Sequence, residues 1–139
     1  MPTILIVDDE MSIRQVLRAF FERAGMESVL AASAQEALRT VENGQQVDAV
    51  VTDVLMPEVS GVSFYDVLMA REPRLAGRVV FLTGAARDPG VHTPVEQRGV
   101  PLLSKLDDLR LVVDAVRVAI IRARSAPLPS GSSPATPLA

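Results

Sequence analysis

Short apolar runs alternate along this chain with longer segments of helical period. Thr3 to Val7 is an unbroken apolar run with β-branched residues, the pattern of a strand buried on both faces of a parallel sheet. The next segment places Ile13, Val16, Leu17 and Phe20 on one helical face, with Ser12 as its cap, Gln15 at the capping-box position and Gly25 as its stop. The unit then repeats. Ser28 to Ala32 reads as a strand, and Ser33 with Glu36 opens a helix through Ala37, Leu38 and Val41 to Gly44. Val47 to Thr52 reads as a third strand, Val62 to Arg71 as a third helix ahead of Pro73, and Arg78 to Leu82 as a fourth strand. Val100 to Leu103 is the fifth, and Leu109 to Ala123 a final helix that turns Leu109, Val112, Val113, Val116 and Ile120 inward, with Ala119 beside them. Five strands alternating with helices predict a doubly wound α/β sheet.

Two segments break the rhythm. Arg87 to Arg98 carries Pro89, Gly90 and Pro94, which predicts a late, short or irregular fourth helix with Pro94 in its first turn. After Arg124 the chain turns to Pro, Ser and Gly with little to bury, so residues 1–124 form the expected domain and 125–139 a tail or linker stump.

At 139 residues and 48% apolar content, one sizeable core is expected rather than two. A net charge of −3 and a pI near 5.1 argue against direct nucleic-acid binding, which needs a basic patch. The absence of cysteine removes disulfides, zinc–thiolate sites and thiol nucleophiles, and a reducing cytoplasm is the expected setting. The first apolar run meets Asp8, Asp9 and Glu10 too soon for a signal peptide or membrane span. Thirteen arginines accompany a single lysine, Lys105. A compact ammonium differs from a planar guanidinium fork, which marks Lys105 for a task arginine cannot perform.

Ligands of open α/β sheets bind beyond the carboxyl ends of the strands. There the sequence places Asp8 and Asp9 after the first strand, Asp53 after the third, Thr83 after the fourth and Lys105 past the fifth. Clustered carboxylates repel unless a cation compensates. Mg²⁺ accepts oxygen ligands at about 2.0–2.1 Å and is satisfied by one or two carboxylates plus a phosphate oxygen, whereas a set without His or Cys disfavours zinc. A carboxylate can also be the nucleophile of phosphoryl transfer, with a metal, an ammonium and a hydroxyl stabilising the charge.

Four stretches, Ile4-Leu-Ile-Val-Asp-Asp-Glu10, Thr52-Asp-Val-Leu-Met-Pro-Glu-Val-Ser-Gly61, Val80-Phe-Leu-Thr-Gly84 and Leu103-Ser-Lys105, resemble the receiver domain of bacterial two-component response regulators, of the chemotaxis-regulator kind. The resemblance covers about residues 3 to 123. It implies a flavodoxin-like five-stranded parallel sheet of order 2-1-3-4-5 with helices on both faces. Asp53 would be the phosphoacceptor, Asp9 a direct Mg²⁺ ligand with Asp8 acting through water, and the Leu55 carbonyl a further ligand, with Mn²⁺ an alternative ion. Thr83 would be the switch hydroxyl, Lys105 the phosphate-binding ammonium, and Met56, Pro57 and Gly61 the residues that shape the loop. The implied partners are a sensor histidine kinase or phosphotransfer protein, and a downstream protein or output domain that reads the face of the fourth helix, fifth strand and fifth helix. Homodimerisation on phosphorylation belongs to the same picture.

Departures from the family pattern carry their own expectations. Leu106 stands where the family commonly has Pro after the lysine, which predicts a trans Lys105–Leu106 bond and a shifted loop. Leu102 replaces the usual switch aromatic, and Leu55 and Ala85 occupy the positions that tune dephosphorylation, so a long-lived phosphoryl group follows. Two other readings compete. A pseudo-receiver would bind partners without phosphate, and an aspartate-nucleophile hydrolase would need a second acid where Leu55 stands.

Overall fold

The computed structural model describes residues 1–125; the tail from Ala126 onward lies outside the described residues. The strands are β1 (Thr3–Val7), β2 (Glu27–Ala31), β3 (Ala49–Asp53), β4 (Val79–Thr83) and β5 (Leu102–Ser104). All pair in parallel in the order β2-β1-β3-β4-β5, as the resemblance implies. The helices are α1 (Met11–Arg23), α2 (Ala34–Glu42), α3 (Gly61–Arg71), α4 (Pro89–Gln97) and α5 (Arg110–Ser125), with a 3₁₀ turn at Pro73–Leu75.

The period-two alternation of strand side chains sorts the core into two layers. Ile4, Ile6, Val51, Val80 and Leu82 face α1 and α5 through Leu17, Phe21, Val112, Val113, Val116 and Ile120. Leu5, Val7, Val50 and Val79 face α2 and α3 through Ala34, Ala37, Phe64 and Leu68. A smaller cluster of Val54, Phe81, Val91 and Val95 seats α4.

Several boundaries differ from those read in the sequence. β3 and β4 run one residue further, to Asp53 and Thr83, because the ladder continues under these polar residues: Asp53 pairs with Leu82 and Thr83 with Ser104. β5 starts two residues later than expected. Pro101 has no N–H to give, although its carbonyl accepts the Phe81 N–H at 2.8 Å.

In α1, Ser12 is not the cap. Glu10 holds that position without a side-chain capping bond, so Ser12 lies inside the helix. The buried stripe is centred on Leu17 and Phe21 with Ile13, Phe20 and Ala24 beside them, and Val16, one position off it, is 40% exposed. By contrast Ser33 caps α2 as expected, accepting the Glu36 N–H at 3.1 Å.

The fourth helix opens at Pro89 rather than at Pro94. Asp88 caps it by accepting the Gly90 N–H at 2.9 Å, and Pro89 fits the first helical position, where an N–H would lack a partner anyway. Pro94 then falls inside the helix and removes the bond to the Gly90 carbonyl. Irregularity was therefore legible, but its place was not.

Candidate functional site

The carboxyl edge of the sheet gathers charge into a buried setting. β1 delivers Asp8, 1% exposed, and β3 delivers Asp53, 4% exposed, while Thr83 at the end of β4 is fully buried. Each is oriented by a backbone N–H two residues on: Asp8 Oδ1 accepts from Glu10 at 2.8 Å, Asp53 Oδ1 from Leu55 at 3.1 Å and Thr83 Oγ1 from Ala85 at 3.1 Å. Arg14 on the first turns of α1 donates to the Asp8 carbonyl at 2.6 Å and fixes the strand-to-helix turn.

Lys105 joins these elements. Its backbone N–H donates to the Thr83 carbonyl at 2.9 Å, extending the β4–β5 ladder, and its ammonium reaches Asp8 Oδ2 at 2.9 Å, Glu10 Oε1 at 2.6 Å and Asp53 Oδ2 at 3.0 Å. Among the described residues no peptide bond is cis, so Lys105–Leu106 is trans, and the ammonium still arrives. A cleft of about 270 Å³ opens above, lined by Asp9, Glu10, Asp53, Leu55, Thr83, Gly84, Ala85 and Lys105. Asp8 lies beneath it.

The loop after β3 is held against the site by close backbone approach. The Gly61 N–H donates to the Val54 carbonyl at 2.7 Å, and a Cβ on Gly61 would lie 2.0 Å from the Asp53 carbonyl oxygen. Met56 packs on the core, the Val59 N–H closes a tight turn on the Pro57 carbonyl at 2.8 Å, and Glu58 takes a left-handed φ of 69°.

Burial raises the Asp8 and Asp53 carboxyls above the ordinary carboxylate range, and the adjacent Lys105 only partly offsets it. Burial pulls the Lys105 ammonium down, but its bonds to Glu10, Asp8 and Asp53 outweigh that and hold it above the usual lysine value. Carboxylate oxygens of Asp8, Glu10 and Asp53 lie within 4.8 Å of one another. Asp8 Oδ2 makes the ion pair with Lys105 but has no well-formed hydrogen bond. An all-oxygen donor set with net negative charge suits a hard divalent cation such as Mg²⁺ and not zinc.

Asp8, Asp53, Thr83 and Lys105 thus converge as the sequence predicted, and Asp9 and Leu55 line the same cleft. Glu10 was missed as a member of the cluster. Its signal was a third consecutive acid at the entry to α1, which helix-capping logic alone explains too readily.

Comparison with known proteins agrees with this geometry. The chain is 30% identical to protein-glutamate methylesterase/protein-glutamine glutaminase 1 of Anaeromyxobacter dehalogenans, over 96% of this chain and 43% of that protein. It is 35% identical to the alkaline phosphatase synthesis transcriptional regulatory protein PhoP of Bacillus subtilis, over 58% of this chain and 32% of that one. The chain therefore spans less than half the length of these curated relatives. Among solved structures, a response regulator receiver domain protein from Clostridium thermocellum superposes with a TM-score of 0.78 at 31% identity, covering 90% of this chain and 98% of that one. The family described as the response regulator receiver domain matches residues 4–117, which reach all five strands and include the acid edge, and this chain belongs to it.

Proposed function

We propose that the chain is a phosphorylatable signalling switch in which Asp53 accepts a phosphoryl group from the phosphohistidine of a sensor histidine kinase or phosphotransfer protein. The observation that carries this reading is the 3.0 Å approach of the chain's single lysine ammonium to the buried Asp53 carboxylate on the floor of an open cleft. An Asp53 oxygen attacks phosphorus and the P–N bond breaks, its electron pair returning to an imidazole already protonated on its other nitrogen.

Asp9, Asp53 and the Leu55 carbonyl would hold Mg²⁺ or Mn²⁺ directly, with Asp8 acting through water. Bound there, the ion would neutralise charge on the transferring group. Lys105 meets one phosphoryl oxygen. Thr83, whose oxygen accepts the Ala85 N–H, retains its own proton to donate to another. Apolar Leu55 and Ala85 at the cleft wall offer no group to orient an attacking water, which favours a slowly hydrolysed phosphoryl group. The chain itself performs no other turnover.

A phosphoryl group adds about −1.5 to −2 of charge and draws Thr83 and Lys105 toward it, repacking the face of α4, β5 and α5 for a downstream protein, an output domain or a second copy. Residues 1–124 would be the switch unit, acting in the cytoplasm; among the described residues no helix is long and apolar enough to cross a membrane. A second reading, a module that binds partners without phosphate, is favoured by Leu102 at the switch position and Pro94 within α4. Beryllofluoride titration separates the two. The switch reading expects saturable binding that requires Mg²⁺ and is lost in Asp53→Asn; wild-type protein that fails to bind selects the second.

A further inference from the structure

Phosphorylation of Asp53 leaves one member of the acid edge without a task. Glu10 occupies the N-cap of α1, where a carboxylate ordinarily accepts a backbone N–H of the first turn, yet it makes no such bond. Its carboxylate crosses instead to Lys105 at 2.6 Å, the shortest of that ammonium's three carboxylate contacts. An ammonium carries three donors; two of them hydrogen-bond Glu10 Oε1 and Asp53 Oδ2, while Asp8 Oδ2 faces the ammonium as an ion pair at 2.9 Å. A phosphoryl oxygen that approaches Lys105 competes with these carboxylates for it.

The three acids are not equally displaceable. Asp8 and Asp53 are almost wholly buried, and each has its other oxygen tied to a backbone N–H. The Glu10 side chain is 55% exposed, so water can solvate it once it lets go. Its own backbone N–H holds Asp8 Oδ1, a bond that does not depend on the side chain.

Resting on the proposed phosphorylation of Asp53, we infer that Glu10 is a releasable arm that competes with the incoming phosphoryl group for Lys105. In the unphosphorylated protein the arm draws the ammonium toward the cleft mouth. When a phosphoryl oxygen takes that donor, Glu10 swings into water at the positive end of α1, where a carboxylate is favoured. Glu10 is a positioning residue that acts through Lys105, and it lowers the affinity of the resting site for a phosphoryl group.

The test measures beryllofluoride affinity at saturating Mg²⁺ by NMR titration for the wild type, Glu10→Gln and Glu10→Asp. Loss of a partly exposed ionic competitor is expected to tighten binding about two- to fivefold in Glu10→Gln. Glu10→Asp keeps the charge but is one methylene too short for the contact, so it is expected to follow Glu10→Gln. Unchanged or weaker binding in Glu10→Gln overturns the inference, the weaker result making Glu10 part of the metal site. An aspartate variant that matches wild type while glutamine binds tighter also overturns it, since the effect would be one of net charge and not of contact. Failure of the wild type to bind at all removes the Asp53 reading itself, so the two failures are distinct.

Discussion

The carboxyl edge of the sheet and the α4–β5 face share a border at Thr83, yet they are built on opposite plans. At the edge Asp8, Asp53 and Thr83 are at most 4% exposed, and every one of them is aimed by a backbone N–H. On the face, β5 has three residues that are all only half-buried, and α4 carries a proline in its interior. The four-residue buried cluster beneath α4 is small beside the two main layers. Groups held in advance at the site cost nothing to reorganise when charge arrives, whereas a face with few buried contacts can change its packing cheaply. A switch needs both. Under the proposed function the strand ends would be the rigid reader and the less buried α4–β5 face the movable output, with Thr83 at their border and Phe81 packed against Val91 and Val95 of α4.

The severest way to break the rigid side is Gly61→Ala. A methyl group there would lie 2.0 Å from the Asp53 carbonyl oxygen and 2.9 Å from Val54 Cα, backbone atoms of the central strand that cannot yield. The expected loss exceeds about 4 kcal/mol, above the usual range for overpacking because the obstacle is backbone, and cooperative unfolding should fail or its midpoint collapse. A near-normal denaturation midpoint would mean that the loop after β3 is looser than its geometry, and the contrast would lose its rigid half.

Lys105→Met comes next. It leaves two buried carboxylates without their cation, a change worth about 3 kcal/mol at neutral pH in metal-free protein. The sign with pH follows from the direction of each shift. Burial already raises Asp8 and Asp53 in the folded wild type, and Lys105 offsets part of it. Without the ammonium they rise further, so between the wild-type and variant values the variant fold binds more protons and its deficit shrinks as pH falls. The wild-type lysine contribution is present below the ordinary lysine value and is lost only as pH rises through its higher folded value, so it stays constant across neutrality. Chemical denaturation at pH 7 and pH 5 should therefore show the deficit shrinking in acid, and Mg²⁺ should restore part of it at pH 7. A pH-independent deficit would mean that packing of the lysine stem, not charge, was lost.

The same contrast explains what the sequence disclosed and what it did not. Strand ends were legible to within a residue because runs of apolar residues buried on both faces give way to polar residues at Asp8, Asp53 and Thr83. Capping was less legible. Ser33-x-x-Glu36 and Ser12-x-x-Gln15 look alike, but only the first acts, because α1 starts at Met11, two residues before the start a Ser12 cap requires, and Glu10 at its cap is drawn away to Lys105. That competing partner is 95 residues distant and no local pattern carries it. The start of α4 was misplaced for a related reason: Pro89 and Pro94 are both acceptable in a first turn, and the choice is made by the Asp88 cap and the seating of Val91 and Val95 on Phe81.

The mildest prediction sharpens the movable side. Arg98, just past α4, donates to the Pro94 carbonyl at 2.7 Å and binds both carboxylate oxygens of Asp66 on α3 at 2.8 and 2.7 Å. This clamp lies at the C-terminal end of α4, away from the Asp88 cap, so under the proposed function it would be the fixed end of a motion driven from Thr83. Arg98→Met keeps the stem and removes the fork. Because Asp66 is half exposed, the global cost should be only about 0.5–1 kcal/mol. Arg98 holds the Asp66 carboxyl below its ordinary value, so that stabilisation is present above the unfolded carboxylate value and disappears as pH falls through the folded one; variant and wild type should converge in acid. Hydrogen exchange should quicken in α4 and β5 far more than in β1 and β3. Uniform quickening across all five strands would show one cooperative block, and the division between a rigid reader and a movable face would not hold.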